Sequence, residues 1–128
     1  MVDQRREKVQ RFTDLDVWRK SHELFLHLIT DLEPLPNTRI AAILTDQVTR
    51  ALGSVGANIA EGFNRSKAKY LNCLDIALGK ANETENWIYK LRDSKLLSRE
   101  TANSHVTETI QIEKMLAALY RSIARRTA

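Results

Sequence analysis

A chain of 128 residues with 43% hydrophobic and 28% charged side chains has the size and composition of one soluble domain, with enough core to need no disulfide or metal staple. Only 4 Gly and 2 Pro occur, too few turn formers for a β-sandwich, a collagen-like chain or a disordered linker; one Cys excludes an internal disulfide and suits a reducing compartment. A formal net charge of +4 permits an acidic partner without demanding one.

Residues 1–11 hold Arg5, Arg6, Lys8 and Arg11 against Asp3 and Glu7, with no apolar run. They read as a flexible basic arm ahead of a domain over 12–126, and not as a secretory signal. No later stretch approaches the ~20 apolar residues that cross a bilayer, so no membrane partner and a cytoplasmic location are expected.

The first helical segment runs from about 15 to 33. Leu15, Trp18, His22, Phe25, Ile29 and Leu32 follow a three-to-four spacing that lines one face, and Thr13 or Asp14 is placed to cap its start. Pro34-Leu35-Pro36-Asn37 breaks the pattern, since proline removes a helix donor. The second segment, about 38 to 61, carries Ile40, Leu44, Val48, Leu52, Val55 and Ile59, with Asn37 or Thr38 as cap and Gly62 suited to a left-handed position past the end. Gly53 and Gly56 sit mid-helix and, with Ala57 and Ala60, allow a close helix approach. The third segment, about 67 to 92, is capped by Ser66 and faces inward with Tyr70, Leu74, Ala77, Ala81, Thr84, Ile88 and Leu91. The fourth, about 99 to 125, is capped by Ser98 and faces inward with His105, Thr109, Ile112, Leu116, Leu119 and Ile123.

No segment alternates with period two, and short connections make consecutive helices antiparallel. The expected fold is all-α, an up-down-up-down antiparallel four-helix bundle. A second line of apolar residues lies off these stripes: Val17, Leu24 and Leu28, then Leu71 and Leu78, then Val106, Ile110 and Ala117. It reads equally as a subunit interface or as the wider stripe of a globular bundle.

No catalytic constellation emerges. His22 and His27 are five apart and diverge on a helix. A bundle di-metal motif needs Glu three residues before His, where this chain has Arg19, Leu24 and Ala102. Cys73 lacks a Cys-x-x-Cys partner and reads as a small buried hydrophobe. Glu83 and Glu85 point to different faces, while Glu61 and Arg65 would pair if the helix continued. Neither an enzyme, a cofactor nor a metal is expected.

The charge is unevenly placed. Residues 12–64 carry four bases and seven acids, whereas Arg65, Lys67 and Lys69 follow without an acid between them. Arg121, Arg125 and Arg126 close a stretch with no acid from 114 onward. In this topology the end of helix two, the start of helix three, the end of helix four and the start of helix one share one pole. Nucleic-acid phosphate is the obvious polyanion for such a pole. The competing reading is that arginines at helix C-termini answer the helix dipole, although that leaves Lys67 and Lys69 at a helix start unexplained.

Three stretches resemble a known family. Phe12-x-Asp14-Leu15-x-Val17-Trp18-x-x-x-His22-Glu23-Leu24 resembles the opening of the four-helix-bundle proteins encoded in 23S ribosomal RNA intervening sequences. Arg50-Ala51-x-x-Ser54-Val55-x-x-Asn58-Ile59-Ala60-Glu61-Gly62 resembles that family's most characteristic stretch, and Ile76-Ala77-Leu78-Gly79-x-x-x-Glu83-x-Glu85 its third helix. The family often has Pro where Gly56 stands and Ser where Lys80 stands. The resemblance spans residues 12 to about 120. It implies a bundle that assembles as a ring, commonly a homopentamer, with an RNA-related role. A similar bundle is the accessory protein of diversity-generating retroelements, which implies a reverse transcriptase as an alternative partner. Arg65, Lys67, Lys69, Arg121, Arg125 and Arg126 are the expected phosphate contacts. Arg50, Asn58, Glu61 and Gly62 carry over as motif residues, the last three at the junction of helices two and three.

Overall fold

The computed structural model describes residues 9–127. Among these, four helices follow a short 3-10 turn at Phe12–Asp14: α1 (Asp16–Leu32), α2 (Arg39–Gly62), α3 (Lys67–Asp93) and α4 (Arg99–Ala124). Each helix packs beside its sequence neighbour and α1 closes against α4, so the chain is an up-down-up-down four-helix bundle. The basic arm expected at residues 1–11 lies outside the described residues up to residue 8.

The three short connections end where side-chain caps begin. Thr38 Oγ1 accepts from Ala41 N–H at 3.2 Å, Ser66 Oγ from Lys69 N–H at 3.2 Å and Ser98 Oγ from Thr101 N–H at 3.1 Å. Each satisfies one amide that the first helical turn leaves without a partner. The start of α1 differs from expectation. Its N-cap is Leu15, which offers no side-chain cap. The Asp14 carboxylate instead turns back and accepts from Gln10 and Arg11 N–H, both at 3.0 Å, closing the 3-10 turn. Those two amides hold its pKa below the ordinary carboxylate value.

Gly62 also departs from expectation. It is the last residue of α2, and no glycine has positive φ; the left-handed residue is Asn64, φ 58°. Gly62 is there because α3 crosses too close for a side chain. A Cβ on it would stand 2.6 Å from Cys73 Cβ and 3.3 Å from Tyr70 Cα. At Gly53 and Gly56 the space is ordinary: a Cβ would meet Phe25 or Trp18 and Ser21 at 3.5 Å. The close approach expected there occurs at Gly62.

The inward faces of α3 and α4 are those the spacing predicts, with only Leu119 half-exposed. Buried Thr84 and Thr109 donate their hydroxyls to Lys80 O and His105 O one turn back, so neither is left unsatisfied. On α1 the expected face is wrong by one step around the helix. Val17, Ser21, Leu24, Leu28 and Leu32 are buried, while Trp18 and Phe25 lie half-buried at the edge and His22 and Ile29 are exposed. Two apolar lines run along this helix, and the aliphatic one packs inward. On α2, Ile40 is 60% exposed and Ala41 takes the inward position. The second apolar line therefore belongs mostly to the core: Val17, Leu24, Leu28 and Val106 are buried, and Leu71, Leu78 and Ile110 pack against it.

Candidate nucleic-acid interface

The end of α2, the start of α3 and the end of α4 meet at one pole, and three cations there come from two chain segments, the α2–α3 junction and the residues after α4. Lys67 Nζ donates to Arg126 O at 2.6 Å, tying the start of α3 to the residues after α4. Arg65 and Arg126 border one cleft of about 590 Å³. The other basic residues are less closely gathered. Lys69 Nζ stands 3.8 Å from Glu61 Oε1. Arg121 lies in the last turn of α4 and Arg125 is its C-cap, both exposed. The expected Glu61–Arg65 pair does not form, because α2 ends at Gly62 and the chain turns between them; Glu61 takes Lys69 instead.

Lys67 also resolves the puzzle of a cation at a helix start. Its partner is a carbonyl just beyond the end of α4, where a helix dipole favours positive charge. One of its three N–H donors is thereby used, and the exposed side chain keeps two.

The cleft is more than a charged rim. Phe63 and Leu119 give it an apolar wall, with Leu15 beside them; Asn64 and Ser122 add polar side chains. Phe63 meets Tyr70 edge to face, with centroids 6.2 Å apart and planes at 80°. Burial raises the Tyr70 pKa, opposed by the nearby Arg126 charge. Asp14 and Asp16 border the cleft on the α1 side. Sequence reasoning missed the wall and the polar groups. One signal was present: Ala118 and Ser122 are four residues apart, which places them on one face of α4, and Arg126 follows at the same step just past its end.

The motif residues do other work. Asn58 Nδ2 donates to Ser54 O at 2.8 Å within α2, and Arg50 pairs with Asp46 at 2.9 Å on the exposed mid-helix surface, away from the pole. Of the histidines, His22 and His27 are exposed, so the expectation of His22 on a core stripe fails; it stacks on Trp18 with centroids 4.8 Å apart. His105 is buried with Nε2 2.7 Å from Asp31 Oδ2. Cys73 is buried. Among the described residues no group of three or more His, Cys, Asp or Glu is arranged to hold a metal ion, and no helix is long and apolar enough to cross a membrane.

Two further features lie outside the pole. Glu85 on α3 and Glu113 on α4 meet across the helix seam, a pairing that no linear spacing announces. Burial, then the hydrogen bond with Glu85, pushes the Glu113 pKa up to about 8. Hydrogen bonds with Glu113 and Tyr89 hold that of Glu85 down, the Tyr89 hydroxyl donating to Glu85 Oε2 at 2.6 Å. Along α1 and α2, Trp18, Phe25, Leu26, Gly53, Gly56 and Ala57 border an apolar groove of about 310 Å³. Leu26, Ile29, Ile40 and Ile43 are exposed on the same two helices.

Comparison with known proteins places this geometry. Among solved structures, a crystal structure of a protein of unknown function from the S23 ribosomal protein family of Bacteroides thetaiotaomicron is similar, with a TM-score of 0.75 and 32% identity over 82% of this chain and 95% of that one. No curated protein matches. The family model described as 23S rRNA-intervening sequence protein matches residues 13–118. With that match running from the 3-10 turn into α4, the chain belongs to the 23S rRNA-intervening sequence protein family.

Proposed function

We propose that this protein is a non-enzymatic RNA-binding bundle that works as a ring oligomer, a homopentamer on the family resemblance. The supporting observation is the meeting of Arg65 and Lys67, from the turn into α3, with Arg126, from just past the end of α4, at one pole. Phosphate contacts of this kind supply affinity without sequence preference. Lys69, Arg121 and Arg125 extend the positive surface around the pole. A ring repeats the pole on every subunit, so several weak contacts act as one avid surface. The intervening-sequence setting that names the family makes ribosomal RNA the first ligand to try.

The test is fluorescence anisotropy of a labelled structured ribosomal RNA fragment at two salt concentrations. Binding that weakens steeply with salt supports the reading, and absence of binding at low salt removes it.

A second reading has its own observation. The apolar groove and the exposed Leu26, Ile29, Ile40 and Ile43 on α1 and α2 suit a protein partner, either a second copy or another protein such as a reverse transcriptase. Retained capture of one specific protein, with no RNA binding, favours that reading.

A further inference from the structure

The polar cleft is far larger than a phosphate contact needs. Its roughly 590 Å³ falls within the range of small-molecule sites, and its lining is divided. Arg65 and Arg126 supply two guanidiniums, Phe63 and Leu119 supply an apolar wall, and Asn64 and Ser122 supply groups that both donate and accept hydrogen bonds. A surface that reads only phosphate has no use for the wall or the neutral polar groups. A nucleotide whose base is out of its stack presents all three matching features: a charged phosphate, an apolar base face and a polar base edge.

We propose that the cleft bordered by Phe63, Arg65 and Arg126 takes an unpaired nucleotide of an RNA strand, so that the pole prefers single-stranded or bulged RNA to continuous duplex. The base lies against Phe63 and Leu119, its edge faces Asn64 and Ser122, and the flanking phosphates meet the two arginines. The wall is set in advance. Tyr70, 7% exposed, holds the Phe63 ring edge to face, so binding pays little to order it. Asn64 is held by its left-handed turn, φ 58°, directly after Phe63. Of the two acids on the α1 side, Asp14 already accepts two backbone amides and has Arg19 Nη2 at 3.7 Å, so its carboxylate is engaged away from the two arginines. A duplex keeps its bases stacked and meets this pole through its backbone alone.

This inference rests on the RNA-binding reading, and one titration separates the two. Three labelled probes are compared by anisotropy at one low salt concentration: a 12-nucleotide single strand, a blunt duplex of the same sequence, and that duplex with one bulged nucleotide. The single strand and the bulged duplex are expected to bind about tenfold or more tighter than the blunt duplex. Ala118→Trp, at an exposed position bordering the cleft, is expected to bring the bulged duplex down to the affinity of the blunt one. Circular dichroism checks that the variant keeps its helices, and 2-aminopurine at the bulge reports unstacking directly. Equal binding of all three probes overturns the cleft assignment and leaves the RNA-binding reading standing. So does a bulge preference that survives Ala118→Trp in a folded variant. No binding of any probe overturns both.

Discussion

Glu85 and Glu113 face each other across the α3–α4 seam, and burial beside Glu85 favours the protonated form of Glu113. The folded Glu113 keeps its proton up to about pH 8, whereas in the unfolded chain it ionises near its ordinary value of 4.5. Between those limits the folded state binds more protons, so this residue's contribution to stability declines as pH rises and levels off above about 8. Glu85 has the opposite sign: its depressed pKa contributes stability that is lost as pH falls through the folded value. Glu113→Gln keeps a donor for Glu85 and removes the ionisation. Urea unfolding at steps from pH 6 to 9 is expected to show a flatter decline in the variant, with a gain of about 1–2 kcal/mol at pH 9 after allowance for the half-exposed pair. Gly62 is a second residue with a sharp expectation. Gly62→Ala forces a Cβ into Cys73 and the Tyr70 backbone and is expected to cost about 1–3 kcal/mol by overpacking. Gly79→Ala, with nothing within 4 Å of the added Cβ, is expected to gain up to about 1 kcal/mol from helix propensity. Thermal melts of the two variants should move in opposite directions.

At the scale of the element, α3 ends in a Schellman arrangement. Leu96 N–H donates to Leu91 O and Lys95 N–H to Arg92 O, both at 3.0 Å, and Lys95 takes the left-handed position at φ 65°. A side chain there bears a steric cost that glycine avoids, so Lys95→Gly is expected to stabilise by about 0.5–1 kcal/mol in chemical denaturation. The helices differed in how much of their orientation was legible beforehand. On α3 the positions off the inward face include Lys80, Asn82, Glu83 and Asn86, which leave one face for the core. On α1, Leu24, Phe25, Leu26, Leu28 and Ile29 are apolar almost without interruption, so a 3.6-residue period selects no single face. Packing then chose between two lines, and that choice depends on the register of α2 and α4. The serine and threonine caps were legible because capping is local chemistry. The Glu85–Glu113 pair and the cleft were not, because each depends on how far one helix slides along another. The meeting of the basic groups at 65–69 and 121–126 was legible through topology alone, but the contact of Lys67 with the carbonyl past the end of α4 depends on how the helices pack.

Across the whole molecule, charge and apolar surface occupy different places. The cations gather where α2, α3 and α4 share a pole, while Leu26, Ile29, Ile40 and Ile43 are exposed along α1 and α2. A ring built through the apolar surface would leave the poles open to RNA. Leu26→Glu together with Ile43→Glu is therefore expected to lower the mass seen by light scattering to that of the monomer while the helical signal persists. Unchanged mass would move the interface elsewhere. The central claim concerns the pole, and the salt dependence of RNA binding tests it most directly. Arg65→Gln with Arg126→Gln should reduce the slope of log K against log salt by about 1.4–1.8, the loss of two phosphate contacts. Arg50→Gln, on the mid-helix surface beside Asp46, should leave the slope where it was. Equal slopes in the wild type and the double variant, or an equal loss from Arg50→Gln, would contradict the assignment of RNA binding to this pole.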